Sequence, residues 1–244
     1  MQAQATIQAQ RPTGLAAHHA AHIARQVARQ IGARLEHRPP ASQMLFGSPE
    51  LTGIPIAYER NAEIYGEGET AEYVYKVVTG AVRTYKVLND GRRQINAFHL
   101  PGDVFGLEFG DEHTWSAEAI VGCTIAMVKR SLVLSVSERE GDIARQLWSM
   151  TARELNRARN HGLLLIKSAQ ERVAAFLLEM SQRLTGTSEV ELPMSRQDIA
   201  DDLGLTIETV SRTLTQLESD HTIELRASRL IALRNHSALS RLNS

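Results

Sequence analysis

The chain has 244 residues, 43% of them hydrophobic, and a formal net charge of −1. That length holds two modest domains or one large one, and the balanced charge excludes a nonspecific polyanion binder, which carries a broad basic excess. The single cysteine, Cys123, excludes a disulfide framework and an iron–sulfur cluster held by cysteines of one chain, and points to a reducing cytoplasm.

Residues 1–45 read as a mobile Ala/Gln-rich N-terminal extension. Leu15, Ile23, Val27, Ile31 and Leu35 recur at helical spacing within it, but large apolar residues are few. His18, His19 and His22 share this stretch without a carboxylate or thiolate, so solvated side chains fit them better than a metal. No signal-peptide core opens the chain, and no apolar run nears the roughly 20 residues that span a bilayer. A soluble protein with no membrane partner is the expectation.

Over 46–130 the pattern turns to short β-type runs. IPIAYE, EYVYKVVTG, AVRTYKVLNDG, RQINAFHL, TWSAEAI and CTIAMVK are rich in Val, Ile, Tyr and Thr and are separated by glycines. Asn89-Asp90-Gly91 is a hairpin signal. Regular strands and turns of this kind predict an antiparallel barrel or jelly roll. Such a roll can also house a metal-dependent enzyme of the cupin type, which holds its metal through a His-x-His pair. No His-x-His occurs, and His99 and His113 stand alone, as hydrogen-bonded structural histidines do. A nucleophile motif and a phosphate-cradling loop are also missing. Neither an enzyme nor a cofactor or metal site is expected.

Residues 131–167 carry the longest helical signal. Ile143, Leu147, Met150, Leu155, Ala158, Gly162 and Leu165 form a near-heptad stripe, with Arg145, Arg153, Arg157 and Arg159 on the other faces. The stripe packs either on its own domain or on a second copy; small Ala158 and Gly162 suit close approach of two helices. Near Lys167-Ser168 the helix breaks, and Ser168 with Glu171 makes an S-x-x-E capping box that starts another. This is the expected hinge.

Residues 168–244 hold two short helices joined by a tight turn, LPMSRQDIADDLGLTIETVSRTLTQLESD. Ser195 caps the first, Gly204 ends it, and Thr206 caps the second, whose inward face is Val210, Leu214 and Leu217. An ordinary helical hairpin shows the same pattern; a helix-turn-helix adds chemistry on the second helix's outer face. There Ile207, Glu208, Ser211 and Arg212 occupy the turns that meet base edges in a major groove. Arg212 can donate twice to guanine, Glu208 can accept from cytosine N4, and Ile207 can pack on a thymine methyl. Phosphate contacts fall to Ser195, Arg196, Thr206 and Thr209, and to Arg226 and Arg229 on a β-hairpin wing read from TIELRASRLIALRN.

The stretch Asp198–Arg212, DIADDLGLTIETVSR, resembles the recognition-helix region of the CRP/FNR family of bacterial transcription regulators, especially its FNR and FixK branch. GEGETAEYVYKVVTGAVRTYKVLNDGRRQINAFHLPGDVFG resembles that family's β-roll sensor module. Together the two resemblances span Leu51 to Asn235 in the family's order. They imply an α+β chain: an N-terminal antiparallel β-roll, jelly-roll-like, then a long dimerisation helix and a C-terminal winged helix-turn-helix. They further imply a homodimer on double-stranded DNA that reads a palindrome of TTGA and TCAA half-sites through Glu208, Ser211 and Arg212. Such a regulator touches RNA polymerase and activates genes for low oxygen or nitrogen fixation. Where cyclic-AMP-binding members place Gly-Glu and Arg-Ser, this chain has Gly106-Leu107-Glu108 and Trp115-Ser116, with no arginine to hold the phosphate. The N-terminal cysteine cluster of oxygen-sensing members is also absent, which leaves an ungated regulator or, as the alternative, one gated by haem, nitric oxide or a small metabolite. Family members usually carry glycine near His221, which leaves the geometry of the wing's first turn open.

Overall fold

The computed structural model describes residues 40–164, 166–184 and 188–242. The helical spacing and the histidines read before residue 40 lie outside the described residues, as does Leu165. Runs rich in strand-forming residues build β1 (Ile54–Tyr58), β2 (Glu63–Tyr65), β3 (Tyr73–Thr79), β4 (Val82–Val87), β5 (Arg93–His99), β6 (Val104–Phe105), β7 (Ser116–Ala119) and β8 (Cys123–Lys129). They pair antiparallel in two four-stranded sheets, ordered β1-β8-β3-β6 and β2-β7-β4-β5. Each of the six β-type runs forms a strand. The two strands without a sequence signal, β2 and β6, are three and two residues long, too short to display alternation. The Asn89-Asp90-Gly91 turn joins β4 to β5, with Val87 opposite Arg93, and Asp90 Oδ1 accepts from the Arg92 amide at 3.0 Å.

Two helices, α1 (Arg130–Arg139) and α2 (Gly141–Leu164), take the place of the single helix expected over 131–167. Glu140 between them is extended, with φ −111° and ψ 99°. The break has a packing cause: α1 buries Val133 and Val136 with Leu45, Leu51, Val74 and Val128, and the first turn of α2 adds Ile143 to the same cluster. A straight helix could not keep both segments on the roll, and Gly141 is a poor helix former at the corner. Met44 and Leu45, at the end of the stretch read as an extension, are buried.

The C-terminal head contains α3 (Ala169–Leu184), β9 (Glu189–Glu191), α4 (Arg196–Leu203), α5 (Ile207–Ser219), β10 (Ile223–Leu225), β11 (Leu230–Leu233) and α6 (His236–Leu242). The capping box ahead of α3 is present: the Ser168 amide donates to Glu171 Oε2 at 2.7 Å, and the Glu171 amide donates to Ser168 Oγ at 3.4 Å. The wing is a three-stranded sheet ordered β10-β11-β9, so the segment before the helix-turn-helix supplies its third strand. His221 opens the wing with φ 53°, the left-handed conformation that glycine adopts without steric cost.

One apolar cluster runs from the roll into the head. Ile95, Phe98 and Leu100 of the roll pack with Phe176, Leu177, Met180, Ile199 and Leu203, and the Phe98 and Phe176 rings meet edge to face at 6.1 Å. Each such side chain contributes roughly 1.5–3 kcal/mol on full burial. Among the described residues, no helix is long and apolar enough to cross a membrane.

Candidate nucleic-acid interface

The reading head is built around two caps. Ser195 Oγ accepts from the Asp198 amide at 3.1 Å, and Asp198 Oδ2 accepts from the Ser195 amide at 2.9 Å and from the Ser195 hydroxyl at 2.7 Å. The Ser195 proton is thereby committed to Asp198 rather than to a phosphate. Gly204 ends α4 in the left-handed region at φ 62°, where a side chain would be strained. Thr206 Oγ1 then accepts from the Thr209 amide at 3.2 Å and starts α5.

Val210, Leu214 and Leu217 are buried beneath α5, so its opposite face is free to meet DNA. Ile207, Glu208 and Arg212 are exposed there and Ser211 is half-buried. The Glu208 carboxyl is held below the usual carboxylate range, first by its own backbone N–H, then by the Thr206 hydroxyl and the charge of Arg212. An ionised acceptor therefore stands beside a fork of donors, the pair needed to read cytosine and guanine edges. Arg196 Nη1 of α4 donates to Ser211 Oγ at 3.3 Å, linking the two helices across this face.

The wing arginines are less free. Arg226 is paired with Glu189 and lies 3.7 Å from Glu224. Arg229 donates to the Pro193 carbonyl at 2.9 Å, tying the wing to the entry of α4. For Arg226 the neighbouring carboxylates offset its charge toward a phosphate, while Arg229 keeps its charge and its remaining donors.

The residues assigned to dimerisation divide into two groups. Ile143 is buried in its own chain and Leu147 leans on the same cluster, while Met150 is half-buried. Leu155, Ala158 and Gly162 are exposed. Trp148, absent from the stripe read in the sequence, is 77% exposed, and Leu163 and Ile166 are also exposed. Trp148, Thr151, Leu155, Ala158 and Gly162 follow one another at steps of three and four, an unpartnered heptad seam. Ile143 and Leu147 are taken up by the cluster on the roll, so the exposed seam begins at Trp148.

The interior of the roll is filled with rings. Tyr65 stacks on His113 at 3.6 Å, and Tyr75 and His99 each stack on Phe105, at 5.3 and 4.7 Å. Gly106 allows this closeness: a Cβ there would lie 2.5 Å from the Tyr75 ring. His99 Nε2 sits 3.2 Å from Thr84 Oγ1, and His113 Nδ1 sits 3.4 Å from Glu108 Oε1. Burial pushes both imidazoles below their ordinary range, His99 to about 3. Burial raises the Cys123 thiol to about 11, so the lone cysteine is inert. Among the described residues, no cluster of three or more His, Cys, Asp or Glu could hold a metal.

Sequence reasoning missed two arginines of the roll that reach the head. Arg83 Nη1 and Arg93 Nη2 both donate to Asp198 Oδ1 at 2.7 Å, and Arg93 Nε donates to Asp201 Oδ2 at 2.7 Å. The acidic run Asp198, Asp201, Asp202 was their one visible signal: a carboxylate cluster in a DNA-reading motif needs cations from elsewhere.

Comparison with known proteins fits this architecture. Residues 55–140 match the cyclic nucleotide-binding domain and residues 171–242 the Crp-like helix-turn-helix domain. The chain is 52% identical over 198 residues to the nitrogen fixation regulation protein FixK of Azorhizobium caulinodans, covering 79% of this chain and 80% of that one. It is 43% identical to FixK of Rhizobium meliloti, covering 85% and 93%. The structure of FixK2 from Bradyrhizobium japonicum superposes with a TM-score of 0.77 at 54% identity, covering 80% of this chain and 98% of that one. With a roll, a reading head and relatives that are named transcription regulators rather than enzymes, the chain belongs to the FixK-like branch of the CRP/FNR family of transcription regulators.

Proposed function

We propose that the protein is a homodimeric transcription activator that binds a palindrome of TTGA and TCAA half-sites in the cytoplasm and contacts RNA polymerase. The observation that carries the reading is the outer face of α5, where Ile207, Glu208 and Arg212 stand exposed with Ser211 at their edge. One such face reads about half a site, and a twofold dimer supplies the second. The exposed seam of α2 supports self-association, since Trp148 and Leu155 would otherwise hold large apolar surfaces in water. The names of its relatives connect the protein to control of nitrogen fixation.

The sequence's lack of an arginine beside Ser116 supports activity without a cyclic nucleotide. Selection of bound duplexes from a randomised pool tests the whole reading. Enrichment of a TTGA palindrome by effector-free protein supports it; enrichment of no sequence, or of a site without twofold symmetry, overturns it.

A further inference from the structure

The head carries three carboxylates on α4: Asp198 and Asp202 are buried and Asp201 is half-buried. Asp198 is the pivot. Its Oδ2 closes the cap on Ser195, while its Oδ1 receives Arg83 from β4 and Arg93 from β5. Arg83 is further held by Glu118 of β7 at 2.7 Å, directly across the strand pair. Both guanidiniums lie 5.9 Å from the Tyr85 ring, which sits between them in sequence and braces them from the roll side. The side chains of Arg83 and Asp198 are 9% and 4% exposed, so water weakens these charge-assisted bonds little. Beside the contact a cleft of about 1020 Å³ separates the head from α2, bordered by Gln94, Arg157, Glu179, Arg183 and Asp202. Arg183 of α3 borders this cleft and holds Asp103 of the roll at 2.7 Å, so Arg83 and Arg93 tie the head to the roll at a second point.

We infer that Arg83 and Arg93 are positioning residues for DNA reading: gripping Asp198 and Asp201, they fix the orientation of each head on its roll. An apolar contact tolerates sliding, whereas forked donors on a shared carboxylate select one geometry. In a dimer whose partners are joined through α2, the orientation of head on roll sets the separation of the two recognition helices. The latch thus provides, without a ligand, the alignment that a palindrome demands. This inference rests on the palindrome reading for its effect on DNA, and on geometry alone for its effect on the head.

The test uses full-length protein with spin labels at Asn89→Cys on the roll and Ser219→Cys on the head, diluted with unlabelled protein so that the distance within one chain is read. Buried Cys123 is not labelled. The otherwise unchanged chain gives one narrow distance, and Arg93→Glu, which sets a carboxylate against both Asp198 and Asp201, broadens or shifts it. An unaltered distribution in Arg93→Glu overturns the inference. Should Arg93→Glu fail to fold, Arg93→Gln, which removes the charge at a strand edge without adding one, is read in the same way. On DNA, Arg93→Glu loses at least tenfold in affinity for the palindrome but stays within twofold on a single half-site; equal losses on both would assign Arg93 a merely structural role. Failure of the unmutated protein to prefer the palindrome would sink the proposed function, while the distance measurement still decides the latch.

Discussion

Arg196 and Ser211 join the two helices of the reading head: the guanidinium on α4 donates to the hydroxyl on α5 at 3.3 Å. Arg196 is half-buried and keeps further donors for a phosphate. Arg196→Ala is expected to weaken binding to specific and scrambled duplexes alike and to lower the salt slope by about one. Binding titrations across a salt series check this; a loss confined to one base position would assign Arg196 to base reading instead.

Asp198 serves the cap and the latch together, so its removal is expected to cost more than a cap alone. A lost N-cap costs about 1 kcal/mol, while breaking a buried charge pair costs about 3–5 kcal/mol. Asp198→Ala should fall in the larger range in denaturant unfolding, since Arg83 would remain buried with Glu118 as its one carboxylate partner. A loss near 1 kcal/mol would mean that the arginines find water readily.

The two faces of α2 predict opposite outcomes for the same substitution. Trp148→Asp or Leu155→Asp should leave folded monomers, because both side chains are exposed in the single chain. Ile143→Asp should unfold the roll, because Ile143 is buried with Val133 and Val136. Sedimentation and circular dichroism separate the cases. A stable dimer in Trp148→Asp and Leu155→Asp would place the interface elsewhere.

Acid should destabilise the roll through its buried histidines. Burial holds folded His99 neutral down to about 3, whereas an unfolded histidine takes a proton below about 6.5. The unfolded chain then binds more protons across that window, so stability falls as pH drops from about 6.5 toward 3, by at most about 1.4 kcal/mol per pH unit for this group. His113, lowered in the same direction by burial, adds to the slope. Urea unfolding at pH 7 and pH 5 should show a smaller loss for His99→Gln than for the unmutated chain; equal losses would locate the acid sensitivity elsewhere.

Much of this molecule was legible in its residues because its signals are local. Ser195, Gly204 and Thr206 mark their helix boundaries by type and spacing, and the six β-type runs announce themselves by their Val, Ile, Tyr and Thr content between glycines. The break at Glu140 was only half legible: Gly141 weakens the helix there, but the break itself depends on what α1 and Ile143 pack against. The same packing hid the role of Trp148, which stays exposed while Ile143 and Leu147 lie on the roll. The latch was the least legible feature: Arg93 and Asp198 are 105 residues apart, and no periodicity connects them. At the reading face, sequence named Ile207, Glu208, Ser211 and Arg212 together because one helix carries them. It could not foresee that Ser195 and Arg226 already have partners within the chain.

Binding of effector-free protein to a TTGA palindrome against a scrambled duplex, at near-physiological salt, with Arg212→Ala and Glu208→Ala alongside, decides whether α5 reads the palindrome. The account predicts tight, selective binding, a loss of roughly 1–3 kcal/mol for Arg212→Ala at the guanine position, and relaxed choice at the cytosine position for Glu208→Ala. Equal affinity of the unmutated protein for both duplexes, or equal losses of the variants on both, would contradict it.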